Sequence, residues 1–117
     1  MTSTAGTADP VEAARRLAAT AAELAPEAEQ RRQLAEPLVK ALGEAGLFRL
    51  CVPAAAGGLE AHPGTLTAAV QALAAGDAAA AWCVAVGATS GLLTGYLPEE
   101  SARAVHAGPA TMIAGVF

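Results

Sequence analysis

The pattern of polar and apolar positions is dominated by one uncharged stretch, Ala78 to Leu97, which lies between Asp77 and Pro98. As a helix, a stretch of this length would be about 30 Å long, at roughly 1.5 Å per residue. Two interpretations fit that length: a membrane-spanning helix and the buried central helix of a soluble bundle.

The spacing of Gly87, Gly91 and Gly95 favours the first interpretation, because small residues four apart let membrane helices approach closely. The composition favours the second. The stretch is mostly Ala, Gly, Thr and Ser, and the nearest basic residues are Arg49 and Arg103. Because flanking Lys and Arg residues orient membrane helices, we expect a buried helix and no membrane partner.

The first 50 residues predict two amphipathic helices. Asp9-Pro10-Val11-Glu12 is typical of a helix start. Apolar residues then recur at helical spacing, at Val11, Ala14, Leu17, Ala18, Ala21, Leu24 and Ala25. Pro26 either kinks this helix or starts a second segment through Arg31. The next predicted helix is Ala35 to Ala45, ended by Gly46 in a left-handed conformation.

The rest of the chain predicts shorter elements. We predict an extended segment at 47–53, a loop at 54–64, a helix at 65–75 and a central helix that begins at Asp77 and ends near 95–97. Pro98-Glu99-Glu100 opens a last helix, which Gly108-Pro109 ends. The predicted fold is therefore all-α, with about five helices over residues 10–110. A disordered tail (1–9) precedes them, and an extended segment (111–117) follows that would enter a β-domain.

Composition limits the classes of function. The chain of 117 residues is one domain, 54% hydrophobic but only 3% aromatic, so Ala, Leu and Val must build its core. A net charge of −4 gives no footprint for nucleic acid. The N-terminus lacks the apolar run of a signal peptide. Cys51 and Cys83 have apolar neighbours and fit buried free thiols. We expect a cytoplasmic protein.

The charges are unevenly distributed. Six of the seven basic residues lie in the first 50 positions. After residue 61, the charged residues are Asp77, Glu99, Glu100 and Arg103. Because a self-contained domain of this size has a more polar surface, we expect the second half to pack against protein outside this chain.

Candidate catalytic groups are few. The phosphate-binding glycine motifs and the nucleophile elbow are missing from the sequence. We interpret His62 as an exposed loop residue and His106 as a partner of the helix dipole. Glu99 and Glu100 are adjacent, which favours a role in the first helical turn over acid–base chemistry. Trp82 fits a core anchor better than a stacking platform.

Several motifs resemble one known family. They are Leu38-Val-Lys-Ala-Leu-Gly-Glu-Ala-Gly-Leu-Phe-Arg-Leu50, Val52-Pro53, Gly57-Gly58, Ala79-Ala80-Ala81-Trp82 and Tyr96-Leu97-Pro98-Glu99-Glu100. Together they resemble the N-terminal helical domain of the acyl-CoA dehydrogenase family over roughly residues 11–117. The most similar branch includes the flavin-dependent hydroxylases.

The resemblance implies a three-part subunit in a homo-oligomer: this helical domain, a β-domain and a C-terminal helical bundle. FAD (or reduced FMN) would lie between the two later parts, which also carry the main flavin-binding motif and the catalytic carboxylate. Ile113 to Phe117 resembles the entry into the β-domain, so the chain resembles a truncated gene product that binds no flavin by itself.

Two positions depart from the family pattern. Ala56 precedes Gly57-Gly58, where the family usually has an aromatic residue. Thr89 lies seven residues after Trp82, where the hydroxylase branch often has a histidine. A hydroxyl cannot replace an imidazole as a proton relay near neutral pH. The departure at Thr89 argues for a dehydrogenase-like relative or a hydroxylase that uses other groups.

By the resemblance, Trp82, Thr89 and Ser90 would lie nearest the flavin or substrate pocket. The alternative is core packing, with the two hydroxyls bonded back to their own helix. We predict one wall of the pocket of a flavin-dependent oxidoreductase, inactive alone. A flavin-dependent monooxygenase and a small non-enzymatic module that oligomerises through its Ala/Gly faces are the alternatives.

Overall fold

The computed structural model describes residues 9–108 and 111–115, whose regular secondary structure is entirely helical. Five α-helices follow in chain order: α1 Pro10–Arg31, α2 Glu36–Glu44, α3 Pro63–Ala74, α4 Ala78–Ser90 and α5 Glu99–Val105. Three 3₁₀ helices lie between them, at Leu47–Arg49, Ala54–Ala56 and Gly91–Tyr96. The predicted all-α fold is confirmed. The predicted disordered tail (apart from residue 9), the stop at Pro109 and the last two residues lie outside the described residues.

Helix α1 begins at the predicted position. The Asp9 carboxylate accepts the N–H of Val11 at 2.9 Å, and Pro10 occupies the first turn. Of the two alternatives at Pro26, the second segment is wrong, because α1 continues through this residue to Arg31. Buried Ala21 and Ala28 lie on either side of the proline, so packing on both sides holds the helix together across the one missing N–H.

Helix α2 lies within the predicted range, and Gly46 ends it in the left-handed conformation, with φ 78°. The extended segment predicted at 47–53 is wrong. It begins with the 3₁₀ helix Leu47–Arg49, and the Val52 N–H then donates to the Arg49 carbonyl at 3.2 Å. The apolar residues here are buried without alternation, at Leu47, Phe48, Leu50 and Val52. A strand with one exposed face needs such an alternation, and these turns do not.

Helix α3 begins two residues earlier than predicted, at Pro63. The imidazole Nδ1 of His62 accepts the N–H of Gly64 at 2.9 Å and caps the first turn. The exposed position predicted for His62 is confirmed, while its capping role was missed. The preceding loop also contains the 3₁₀ helix Ala54–Ala56.

Helix α4 starts at the predicted cap, where the Asp77 carboxylate accepts the Ala79 N–H at 3.2 Å. The predicted end near 95–97 is confirmed, because the helix continues to Tyr96, although its α-helical part stops at Ser90 and the remainder is a 3₁₀ helix. The buried Thr94 hydroxyl donates to the Gly91 carbonyl at 2.6 Å.

The core lies between α1, α3 and α4, with α2 and the 3₁₀ helix Leu47–Arg49 closing one end. Its largest fully buried side chains are Leu and Val, at Leu38, Leu42, Leu47, Leu50, Val52, Leu73 and Val84. Small residues bring the backbones close together. A Cβ added to Gly76 would lie 1.9 Å from the Ala18 carbonyl oxygen on α1. The predicted core of Ala, Leu and Val is confirmed.

The glycines of α4 and its 3₁₀ extension contact other parts of this chain. A Cβ on Gly87 would lie 2.5 Å from Met112 Cγ, and one on Gly91 would lie 2.6 Å from Val52 Cγ2. A Cβ on Gly95 would lie 3.5 Å from Pro53 Cγ. The four-residue spacing therefore provides close packing inside the domain.

Helix α5 follows Pro98 and packs against the 3₁₀ helices Ala54–Ala56 and Gly91–Tyr96. Exposed Glu99 and Arg103 form an ion pair at 3.2 Å, as expected for acidic residues in the first turn and a basic residue in the last. Residues 111–115 have no regular secondary structure. The prediction that this segment enters a β-domain stays a prediction.

Candidate functional site

Helix α4 carries the three candidate residues on different sides. Its buried positions hold small residues and one valine: Ala80, Ala81, Val84, Gly87, Ala88 and Ser90. Trp82 and Thr89 are both exposed. At 3.6 residues per turn, these two positions differ by only about 20° around the axis, whereas Ser90 lies about 80° from Trp82. Trp82 and Thr89 thus share one exposed side of α4, and Ser90 does not belong to it.

Trp82 is not a core anchor. Its side chain is 71% exposed, so this interpretation is wrong. The reason is the close packing of α4, whose buried side accepts little more than methyl groups. An exposed indole offers a flat, rigid apolar surface with one N–H donor, which suits contact with a ring or with another protein surface.

The two hydroxyl residues differ. The Thr89 hydroxyl donates to the Ala85 carbonyl at 2.7 Å, which confirms the predicted bond back to its own helix. Ser90 is 8% exposed and belongs to the core side. The place of Trp82, Thr89 and Ser90 in a flavin or substrate pocket stays a prediction.

Large apolar side chains are exposed beyond Trp82. We use the term apolar stretch for Trp82, Leu92, Leu93, Tyr96 and Leu97, all of which are exposed, Tyr96 by 86%. Four of the five lie in or directly after the 3₁₀ helix Gly91–Tyr96. Single exposed apolar residues are common, but a concentration of them marks a contact surface. The low charge of the second half was the sequence signal for this surface, though it did not identify these residues.

Two neighbouring clefts lie on another side of α4, next to Cys83. One, of about 330 Å³, lies between the end of α1 and the start of α4, and Arg32 and Asp77 are among the residues that line it. The other, of about 320 Å³, is lined by Phe48, Val39 and Met112. Gln33, Leu34 and Cys83 line both clefts. Neither cleft is lined by Trp82, Thr89 or Ser90.

The titratable groups form no catalytic arrangement in the part of the chain that the structure describes. Burial raises the pKa of both thiols, and the Asp77 carboxylate raises that of Cys83 further. A raised pKa leaves a thiol protonated and weakly nucleophilic. Residues 9–108 and 111–115 contain no cluster of His, Cys, Asp and Glu suited to a metal ion.

The structure contradicts the prediction that His106 is a charged partner of the helix dipole. It is buried, with 3% of its surface exposed, at the end of α5. Burial and the nearby Arg49 guanidinium lower its pKa, which disfavours the charged form. Arg49 itself supplies positive charge at this helix end by donating to the carbonyls of His106 and Gly108. The dipole interpretation of His106 is wrong.

Among the described residues, one helix has the length and composition of a membrane span. The stretch Ala78–Tyr96 has 19 residues, and 44% of an 18-residue window within it is buried in the domain. Buried helices of soluble proteins meet the same criterion. Here the last six residues are 3₁₀ rather than α-helix, and Gly87 and Gly91 pack against Met112 and Val52.

The described chain is thus a helical domain with a close-packed Ala-rich core and an exposed apolar stretch beside α4. A family model described as acyl-CoA dehydrogenase, N-terminal domain matches residues 8–104. The match covers most of the chain, and the protein belongs to the acyl-CoA dehydrogenase family through this domain. No curated protein and no solved structure matches the chain.

Proposed function

We propose that this domain forms one wall of the flavin and substrate pocket in an acyl-CoA dehydrogenase-like oxidoreductase. Family membership supports the class of enzyme. The observation that carries the assignment is the exposed apolar stretch, because five large apolar side chains in a charge-poor region need a covering surface. The covering partner is the rest of the same subunit, in a cytoplasmic homo-oligomer with no role in nucleic-acid or membrane binding.

The side chains of the stretch suit one part of a flavin better than the others. Trp82 and Tyr96 present aromatic rings, and Leu92 and Leu93 present aliphatic groups, all of which can cover a flat apolar ring. None of these residues carries a charge for a phosphate group. FAD (or reduced FMN) would therefore be bound mainly by the rest of the subunit. When bound, the flavin would accept the hydride, and this domain would exclude water from one side of the pocket.

The dehydrogenase branch has more support than the hydroxylase branch. Thr89 occupies the position at which the hydroxylase branch often has a histidine, and its hydroxyl donates to Ala85. The hydroxyl proton is thus already used within the helix. The non-enzymatic oligomerisation module has less support, because Gly87 and Gly91 pack against this chain's own Met112 and Val52.

The first test is the intact mass of the native gene product, purified from its source cells, together with its visible absorption spectrum. A mass several times 11.5 kDa with a flavin band supports the proposal. A product of about 11.5 kDa without a flavin band contradicts it. Turnover of an acyl thioester with an electron acceptor, compared with oxygen consumption in the presence of reduced flavin, then separates the two branches.

The second test uses variants of the purified flavoprotein. We expect Trp82→Ala and Tyr96→Ala to lower the amount of flavin retained per subunit after gel filtration. Val105→Ala is the matched control, because Val105 is also exposed but lies on α5, outside the apolar stretch. Equal flavin retention in all three variants argues against a pocket wall at this surface.

A further inference from the structure

One side chain holds together the end of α5 and the segment that follows. The guanidinium group of Arg49 donates to the carbonyl oxygens of His106 and Gly108, and to that of Gly57 at 3.4 Å. Arg49 is at the end of the 3₁₀ helix Leu47–Arg49, in the middle of the chain. It therefore ties two distant parts of the sequence to one point.

The same place contains buried polar atoms without partners. Both ring nitrogens of His106 and the Nε of Arg49 are buried and make no hydrogen bond among residues 9–108 and 111–115. Buried polar groups of this kind are rare in folded proteins, and each calls for an explanation. Here three such atoms belong to two residues that already contact each other through the His106 carbonyl.

Among the residues that the structure describes, no carboxylate offsets a positive charge on His106. The 3₁₀ helix Ala54–Ala56 has no titratable side chain, and the 3₁₀ helix Gly91–Tyr96 contributes only the exposed Tyr96. On α5 itself, Glu99 pairs with Arg103, and Glu100 is exposed. Glu60 accepts the Ala54 N–H at 3.0 Å. The charged group that acts on the imidazole is Arg49, and it is positive.

We propose that Arg49 and His106 form an acid-sensitive latch, which holds the end of α5 and residues 111–115 on the domain while His106 is neutral and releases them when it is protonated. In the closed state, a proton on His106 would create a buried cation near the partly buried guanidinium. In the released state, the imidazole would reach water and take up its proton at the ordinary pKa. Release would also free Met112 from its packing against Gly87.

The direction of the pH effect follows from linkage. Because the pKa of His106 is lowered in the closed state, the released state binds more protons just below the ordinary value of about 6.5. The ratio of released to closed molecules then rises by up to about tenfold for each pH unit of acidification. The increase stops once the pH is below the pKa of the closed state. Above about pH 7, the latch stays closed.

Hydrogen exchange of the intact protein, measured from pH 8 to 5.5 and corrected for intrinsic exchange, tests this proposal. We expect opening of amides at 99–108 and 111–115 to increase as the pH falls, while amides of α3 keep their protection. His106→Phe and His106→Gln should remove this pH dependence. His62→Asn is the matched control, because it replaces the other histidine by a residue that also caps a helix. The control should respond like the original protein.

Arg49→Gln separates the latch from a general effect of acid, because it should open the same amides at pH 8. The proposal is wrong if the original protein shows no acid-dependent opening. It is also wrong if both His106 variants show the same pH dependence of opening as the original protein. If both His106 variants fail to fold, the pKa of His106 in the original protein, measured by NMR titration, is the deciding test. A pKa at or above the ordinary value overturns the latch.

Discussion

The substitution Gly91→Ala tests whether the glycines after α4 serve packing inside the domain. The added Cβ would lie 2.6 Å from Val52 Cγ2, whereas the same atom on Gly95 would lie 3.5 Å from Pro53 Cγ, an ordinary contact. The two methyl groups differ in clearance by 0.9 Å although the residues are one four-residue step apart. Gly95→Ala is therefore a matched control.

Val52 cannot easily move away from such a methyl group. It is fully buried and β-branched, its N–H donates to the Arg49 carbonyl at 3.2 Å, and its carbonyl accepts the Glu60 N–H at 3.0 Å. Overpacking of this kind costs about 1 to 3 kcal/mol. A loss of 1 kcal/mol lowers Tm by roughly 4 °C in a domain of this size. We expect Gly91→Ala to lower Tm by several degrees and Gly95→Ala to change it little.

Thermal unfolding followed by circular dichroism measures the stability, and sedimentation measures the mass of both variants. If the glycines pack against a second copy of the chain, Gly91→Ala should change the mass of the assembly. A changed mass with an unchanged Tm would refute packing against Val52. Equal melting of the Gly91→Ala and Gly95→Ala variants would show that the difference in clearance has no energetic effect.

Three further predictions follow from the caps, the core and the thiols. Asp77→Ala should lower the free energy of unfolding in urea by about 1 kcal/mol, while Asp77→Asn, which can still cap α4, should change it much less. Leu42→Ala should cost about 2 to 5 kcal/mol because Leu42 is fully buried, and comparable stability of Leu42→Ala and the exposed Leu92→Ala would disagree with the described core. Alkylation of Cys83 at pH 7 should be slower than that of free cysteine and should accelerate as the pH rises toward its raised pKa, whereas a rate above that of free cysteine would contradict this assignment.

Local signals predicted the start and end of most helices. Asp9 and Asp77 cap their helices as expected, and Gly46 adopts the left-handed conformation that ends α2. These features depend on a few adjacent residues, so a single sequence is enough to identify them. The family motifs likewise lie in short continuous segments, and the family match over residues 8–104 confirms the resemblance they suggested.

Features that depend on distant residues were not predictable in this way. The 3₁₀ geometry after Ser90 accompanies the close approach of Gly91 to Val52, which lies 39 positions earlier in the sequence. The exposure of Trp82 results from the close packing of the opposite side of α4. Arg49 and His106 lie 57 positions apart in the sequence and meet only in the folded domain, so no local pattern could pair them.

The absence of charge between Asp77 and Glu99 has two physical causes, one for the residues before Gly91 and one for the residues after it. In α4, the uncharged residues are small because Ala80, Ala81, Gly87 and Ala88 are buried against neighbouring elements. After Gly91, the uncharged residues are large and exposed, so packing within the domain does not explain Leu92, Leu93 and Tyr96. Large apolar residues on the surface favour association with another protein surface, because association removes their apolar area from water. The part of this uncharged segment before Gly91 therefore builds the domain. The part after Gly91 belongs to the surface through which we propose that the domain joins the rest of a flavoenzyme.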